Sequence, residues 1–185
     1  MTARPNEPRL APLADHELDD ETRAIVPPGS LNIFTTLARH PKLLKRWLVF
    51  GNHVLAKSTL PERERELVIL RVGWRCRAEY EFGQHTVIGR RAGVTDEELD
   101  WLVRPLDDGG WSEVDRTLLA AVDELHDDQC IGQATWDALA GRWDEQQLLD
   151  LVFTVGQYTL VSMALNSLGV QRDDGVPGFP EGAGA

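Results

Sequence analysis

Apolar positions along this chain recur at steps of three and four, and nowhere do apolar and polar residues alternate as they would along a half-buried strand. The pattern predicts an all-α chain of about eight helices. A Pro-rich, charged opening segment, residues 1–14, is expected to lie extended over the surface. Asp15 to Ile25 reads as a short helix stopped by Pro27-Pro28-Gly29. Ser30 is a candidate cap for the next segment, Leu31 to Ala38. Pro41 opens a longer helix carrying Leu43, Leu44, Trp47, Leu48 and Phe50 at helical spacing. Pro61 marks the start of another, in which Leu67, Leu70 and Trp74 form a face widened by Val68 and Ile69, with Gly73 expected to loosen its end. Ala78 to Ala92 follows, with Gly93 as its C-cap.

Two capping boxes punctuate the second half. Thr95 with Glu98 opens a short helix ending near Pro105, and Asp144 with Gln147 starts a long one running to about Leu168, where Gly169 stops it. Between them, Ser112 can cap a helix to about Asp127, and a short stretch follows from Thr135 to Ala140. The Gly- and Pro-rich tail, residues 173–185, is expected to be extended or flexible and outside the core. With no linker and no repeat, the chain reads as one domain over 1–185 with its core at about 30–170.

Charge narrows the function classes. A net charge of −11 would be repelled by a phosphate backbone or an anionic membrane, so neither nucleic acid nor membrane is an expected partner. A small anionic substrate stays possible, because a local Arg or His can capture one. The polar N-terminus lacks the apolar core of a signal peptide, and no apolar run is expected to reach a membrane-spanning length, so a soluble, cytoplasmic protein is expected. The two cysteines, Cys76 and Cys130, show neither CxxC nor zinc-type spacing.

The chemistry concentrates between Pro61 and His85. Glu81 and His85 stand four apart on one predicted helix and share a face, whereas Glu79 points elsewhere. A carboxylate beside an imidazole can raise its pKa and fix its tautomer, which makes the pair a candidate acid and base. An antiparallel hairpin turning about Arg75 to Arg77 would bring Glu66 toward the same face. The plain alternative is a solvated Glu/His pair, with Glu66 favouring its helix dipole. Tyr158, Ser162 and Asn166 form a polar stripe down the last helix. It is either a pocket wall that supplies hydrogen bonds or, as the balance favours, a subunit contact or solvent face. Tyr158 and Asn166 are therefore substrate-binding candidates, together with Arg71. Arg63, Arg65 and Arg71 could each hold a carboxylate bidentately, although ion pairs explain them more simply. His40, His53 and His126 have no partner by spacing, and only His53 invites a check for closeness to the pocket. A metal site is not expected.

The stretch Arg63-Glu-Arg65-Glu66-Leu67 followed by Tyr80-Glu81-Phe82-Gly83-Gln84-His85 resembles the signature of the carboxymuconolactone decarboxylase family, within the alkylhydroperoxidase-D-like superfamily. Gly93-Val94-Thr95, and Asn32 to Pro41 upstream, are also similar to the family, so the resemblance spans roughly residues 30–170. It implies a helical bundle around a central antiparallel helix pair, assembled as a homotrimer or homohexamer. The redox branch of that superfamily carries a CxxC pair whose second cysteine stands four residues before the histidine. Here those positions are Ala78 and Glu81, so no dithiol cycle can run there. Cys76 is out of register, beside acidic residues that would raise its pKa.

The resemblance therefore implies a cofactor-free, carboxy-lyase-like enzyme acting on a small carboxylated lactone or related enolisable acid. In that scheme His85, as imidazolium, protonates carbon, Glu81 orients and charges it, and Glu66 holds or polarises the substrate. Two alternatives remain open, a thiol-dependent hydroperoxide reductase and a non-catalytic oligomeric or binding module.

Overall fold

The structure is a computed structural model that describes residues 3–183. Among them are nine α-helices and no strand. They are α1 (Asp20–Arg23), α2 (Asn32–Leu37), α3 (Pro41–Ala56), α4 (Glu62–Arg75), α5 (Glu79–Ala92), α6 (Asp96–Leu102), α7 (Glu113–Asp128), α8 (Gln133–Ala140) and α9 (Glu145–Leu168).

At the centre of the bundle, α4 is buried at every residue from Arg65 to Trp74, as expected of a helix enclosed on all sides. Its Val68, Ile69 and Val72 meet Leu118, Ala121 and Val122 of α7, Leu139 of α8, and Leu148, Leu151 and Val155 of α9. Its Leu67, Leu70 and Trp74 meet Phe82 of α5 and Leu99 and Leu102 of α6. Both clusters are continuous apolar cores, and α4 is the element they share.

The chain turns from α4 into α5 at Arg77, which adopts a left-handed conformation (φ 52°), while the Ala78 amide donates to the Gly73 carbonyl at 2.8 Å. A Cβ at Gly73 would lie 3.2 Å from the Phe82 nitrogen, and one at Gly89 would lie 3.3 Å from Leu70 Cδ1 and 3.6 Å from Glu66 Cβ. These two glycines bring α5 close against α4 along its length. Gly73 is thus a contact point inside the helix, which corrects the expectation of a loosened end.

The helix ends in the second half follow the pattern read from the sequence. Thr95 and Glu98 close one capping box, Asp144 and Gln147 the other, and Ser112 accepts from the Asp115 amide. Gly93 (φ 99°) ends α5 and Gly169 (φ 70°) ends α9, both left-handed. The N-terminal region differs. Asp15 to Ile25 is broken into a 3-10 turn (Asp15–Glu17) and the single turn of α1, because Asp19 caps the Thr22 amide and restarts the helix. Ser30 does not cap α2, since its hydroxyl donates to the Pro27 carbonyl. The amide of Asn32 is met instead by the Asp173 carboxylate, 2.9 Å away.

That contact belongs to a tail that was expected outside the core and needs correcting. Asp173 also accepts from the Tyr80 hydroxyl (2.6 Å) and the Gln84 amide (2.7 Å). Phe179 packs edge-on to Trp74 and against Phe82, with ring centroids 5.2 and 5.1 Å away. The Pro177 carbonyl lies so close to Gly83 that a side chain there would collide with it. The tail is extended, as the sequence suggested, but through residue 183 it is strapped across α5. The opening segment is extended too, its Arg9 amide donating to the Leu168 carbonyl at 2.8 Å.

The expectation that no apolar run reaches membrane-spanning length also needs qualifying. By length and composition α9 is long and apolar enough to cross a membrane, but half of its most apolar window is buried inside the bundle. Its outer side exposes Leu149, Phe153, Leu160 and Met163, beside Val49 and Phe50 of α3.

Candidate active site

Glu66 lies on the α4 face that α5 covers, and no part of it is exposed. A bare carboxylate in that position would be costly, and two neighbours offset the cost. Arg65 donates to Glu66 Oε1 through Nε and Nη2, both at 3.1 Å. His85 Nδ1 lies 2.6 Å from Glu66 Oε2. One turn back along α5, Glu81 Oε1 lies 3.1 Å from His85 Nε2. A single buried imidazole therefore bridges two carboxylates, one on each helix of the central pair. Carboxylate oxygens accept and do not donate, so this geometry calls for an N–H on both ring nitrogens, which is the imidazolium. Burial alone would lower the His85 pKa. The hydrogen bonds to Glu66 and Glu81 outweigh it and lift the value to about 9.

The Tyr158 ring of α9 stands edge-on to the imidazole, with centroids 4.9 Å apart. Burial pushes its phenol well above the ordinary value, and the charges of Glu81 and Glu66 add to the effect, so its hydroxyl stays protonated. Beside these three residues opens a cavity of about 130 Å³. Its walls are mainly apolar, with Phe34 from α2, Trp47, Leu48 and Leu55 from α3, Ile88 from α5 and Val161 from α9. Gln84, Gln157 and Asn52 add amides. Among the described residues, no lysine or arginine lines it.

Glu81, His85 and Tyr158 thus meet at one cavity, and Glu66 stands behind His85. Two expected substrate-binding residues, Asn166 and Arg71, are placed outside this cavity. Asn166 turns away and donates to the Cys76 carbonyl at 2.9 Å, covering the C-terminal end of α4. Arg71 is a buried clamp. Its Nε and Nη2 reach Asp123 at 2.9 and 2.6 Å, and its Nη1 reaches the Leu102 and Arg104 carbonyls at 2.7 and 2.8 Å. The polar stripe on α9 is split in consequence, with Tyr158 at the cavity, Ser162 fully buried and Asn166 at a helix end. Gln157, one residue before Tyr158, lines the cavity and was missed. Its only signal in the sequence is a polar position in an otherwise apolar run.

The remaining candidates take structural places. Arg63 pairs with Glu98 and Asp115. His40 caps α3, and His53 lies 3.5 Å from Asp150, outside the cavity. Cys76 is also outside the cavity, and its sulfur lies 3.9 Å from His126 Nδ1. Burial pushes its thiol pKa up, which leaves little of the thiolate a peroxidase requires. Among the described residues, no group of three or more His, Cys, Asp or Glu is placed to hold a metal ion.

A helical bundle built on an antiparallel pair, with a buried Glu–His–Glu bridge across it, defines the class. Residues 41–124 match the profile of the Carboxymuconolactone decarboxylase family. That segment of the chain is similar to the Carboxymuconolactone decarboxylase family, and it carries no CxxC pair. Its fold is similar to that of an uncharacterized peroxidase-related protein from Silicibacter sp. TM1040, with a TM-score of 0.79 and 16% identity, covering 97% of this chain and 100% of that one. A second peroxidase-related protein, described as an alkylhydroperoxidase AhpD core, from Ralstonia eutropha JMP134, gives 0.76 and 17%, covering 93% and 95%. The debrominase Bmp8 in complex with 2,3,4-tribromopyrrole gives 0.73 and 14%, covering 93% and 95%. No curated protein matches the sequence. At such identities these structures establish the fold alone.

Proposed function

We propose that the chain is a cofactor-free acid–base enzyme that moves a proton to and from a carbon of a small enolisable substrate. The observation that carries this reading is the imidazole of His85, held by both ring nitrogens between Glu66 and Glu81 at the wall of a mostly apolar cavity. With Nε2 engaged by Glu81, the group that meets substrate is the Glu81 carboxylate rather than the imidazolium itself. Glu81 takes a proton from a carbon next to a carbonyl, the electron pair passes to the carbonyl oxygen as an enolate, and the carboxylic acid then returns the proton. His85 and Glu66 stabilise the charge on Glu81 and fix its orientation. Such help is worth on the order of 10²–10⁴ in rate.

The carboxy-lyase version is the finer form of the same proposal. There a substrate carboxylate leaves as carbon dioxide, its bonding electrons form the extended enolate, and Glu81, reprotonated through His85, protonates carbon. A cytoplasmic assembly of identical chains completes the reading. The exposed apolar side chains of α9 and α3 support a second copy as the partner, since a patch of this kind on a lone domain is uncommon.

The test is ultraviolet-monitored turnover of γ-carboxymuconolactone, alongside deuterium exchange into unsaturated lactones followed by NMR, with no metal and no thiol. Exchange or turnover that drops at least about a hundredfold in Glu81→Gln and in His85→Gln supports the proposal. Activity that survives both substitutions refutes it.

A further inference from the structure

Two neighbouring residues of α9 bring polar groups without a protein partner to the cavity. Gln157 and Tyr158 are only 5% and 6% exposed, yet neither the Gln157 amide nor the Tyr158 hydroxyl has a hydrogen-bond partner among the described residues. Glu66 is satisfied by Arg65 and His85, and Tyr80 by Asp173, whereas the Trp47 indole N–H at the same cavity also has no partner among the described residues. Leaving a buried donor unpaired is costly, and such groups at a cavity wall are the ones a ligand satisfies.

Charge limits what that ligand can be. Among the described residues, the only charged groups lining the cavity are Glu81 and His85, and they pair with each other. The second ring nitrogen of His85 is taken by Glu66, whose other oxygen is taken by Arg65. The three arginines nearest in sequence are committed elsewhere, Arg63 to Glu98 and Asp115, Arg65 to Glu66 and Arg71 to Asp123. A carboxylate entering this cavity would be desolvated beside Glu81 with no free cation to meet it. A neutral carbonyl oxygen, by contrast, needs only neutral donors, and the amide and the phenol are such donors.

We propose that the cavity selects a neutral, largely apolar carbonyl compound, its oxygen held by the Gln157 amide and the Tyr158 hydroxyl, over a substrate bearing a carboxylate. The inference rests on the proton-transfer form of the acid–base reading and stands against its carboxy-lyase form, whose substrate carries a carboxylate; donors on the carbonyl oxygen are what would stabilise the enolate that Glu81 generates. Its binding claim can be tested separately.

The probes are a matched pair, an unsaturated γ-lactone carrying a methyl ester and the same lactone carrying the free carboxylate. Binding is read as quenching of Trp47, which lines the cavity, with Trp47→Phe as the control for the other tryptophans. The ester is expected to bind at least about tenfold more tightly than the carboxylate. Gln157→Leu and Tyr158→Phe, each checked for native helicity, are expected to weaken the ester by about tenfold and leave the carboxylate unchanged. A carboxylate that binds as tightly as the ester, a wild type that binds neither, or variants that bind the ester normally would each overturn the proposal. Deuterium exchange on the same pair separates the two readings. Selective binding without exchange sinks the acid–base reading and keeps this one, whereas Glu81-dependent exchange without selectivity does the reverse.

Discussion

At the scale of single residues, the protonation of His85 governs the site. Its folded pKa of about 9 lies above the ordinary value of 6.5, so the imidazolium is favoured by the fold. The resulting stabilisation is fully present below about 6.5 and is lost as pH rises through about 9. Urea unfolding between pH 6 and 10 is expected to show this loss in the wild type and a flatter profile in His85→Gln. Glu66→Gln removes one of the two carboxylates that raise the pKa, so the imidazole should titrate at lower pH, as NMR of the ring would register. Arg71 makes the opposite kind of prediction. Arg71→Met leaves the Leu102 and Arg104 carbonyls without their partner and Asp123 with only Arg75, 3.5 Å away, and should cost on the order of 3 kcal/mol in unfolding free energy, with the cavity's ligand binding unchanged in the folded fraction. Glu81 and His85 were legible as a pair because four residues on a helix is a geometric statement. Arg71 and Asn166 were not, because a long polar side chain can reach in many directions and only its neighbours decide which.

At the scale of elements, α4 and α5 create the site by approaching closely, and the tail holds α5 in place. Gly83 is where the tail crosses, and a methyl group there would strike the Pro177 carbonyl. Gly83→Ala should therefore lift the strap while α5 stays helical. Limited proteolysis is expected to cleave within 173–183 several-fold faster in the variant, with little change in circular dichroism. Equal cleavage rates would show that the strap shifts without detaching. The tail was misjudged from sequence for a physical reason. Gly and Pro mark a chain that makes no helix, and that says nothing about whether Phe179 finds a place between Trp74 and Phe82. The break at Asp19 was missed similarly, because an acidic residue inside an apparent helix and a cap that restarts one look alike in sequence.

At the scale of the whole molecule, the acidic surface and the apolar face of α9 pull in different directions. Net charge of −11 disperses copies of the chain, while Leu149, Phe153, Leu160 and Met163 favour bringing them together. Phe153 is 55% exposed and stacks edge-on with Phe50 at 6.1 Å, so it contributes mainly to the outer face. Analytical ultracentrifugation should give a multiple of the 20.7 kDa chain mass for the wild type and a shift toward single chains in Phe153→Glu. A wild type that sediments as one chain would remove assembly from the proposed function.

The sequence by itself determined the helices, most of their caps and the helical register that sets Glu81 beside His85, because all of these depend on residues within a turn or two of one another. It also excluded a dithiol cycle at the site, since Ala78 and Glu81 occupy the positions where that chemistry needs cysteines. Only the tertiary structure decided that Glu66 binds the far nitrogen of the same imidazole, that Gln157 and Tyr158 line the cavity while Asn166 and Arg71 do not, and that no lysine or arginine among the described residues lines it. Those outcomes depend on how closely two helices approach and on which groups are left without water, which are properties of packing between segments distant in the chain.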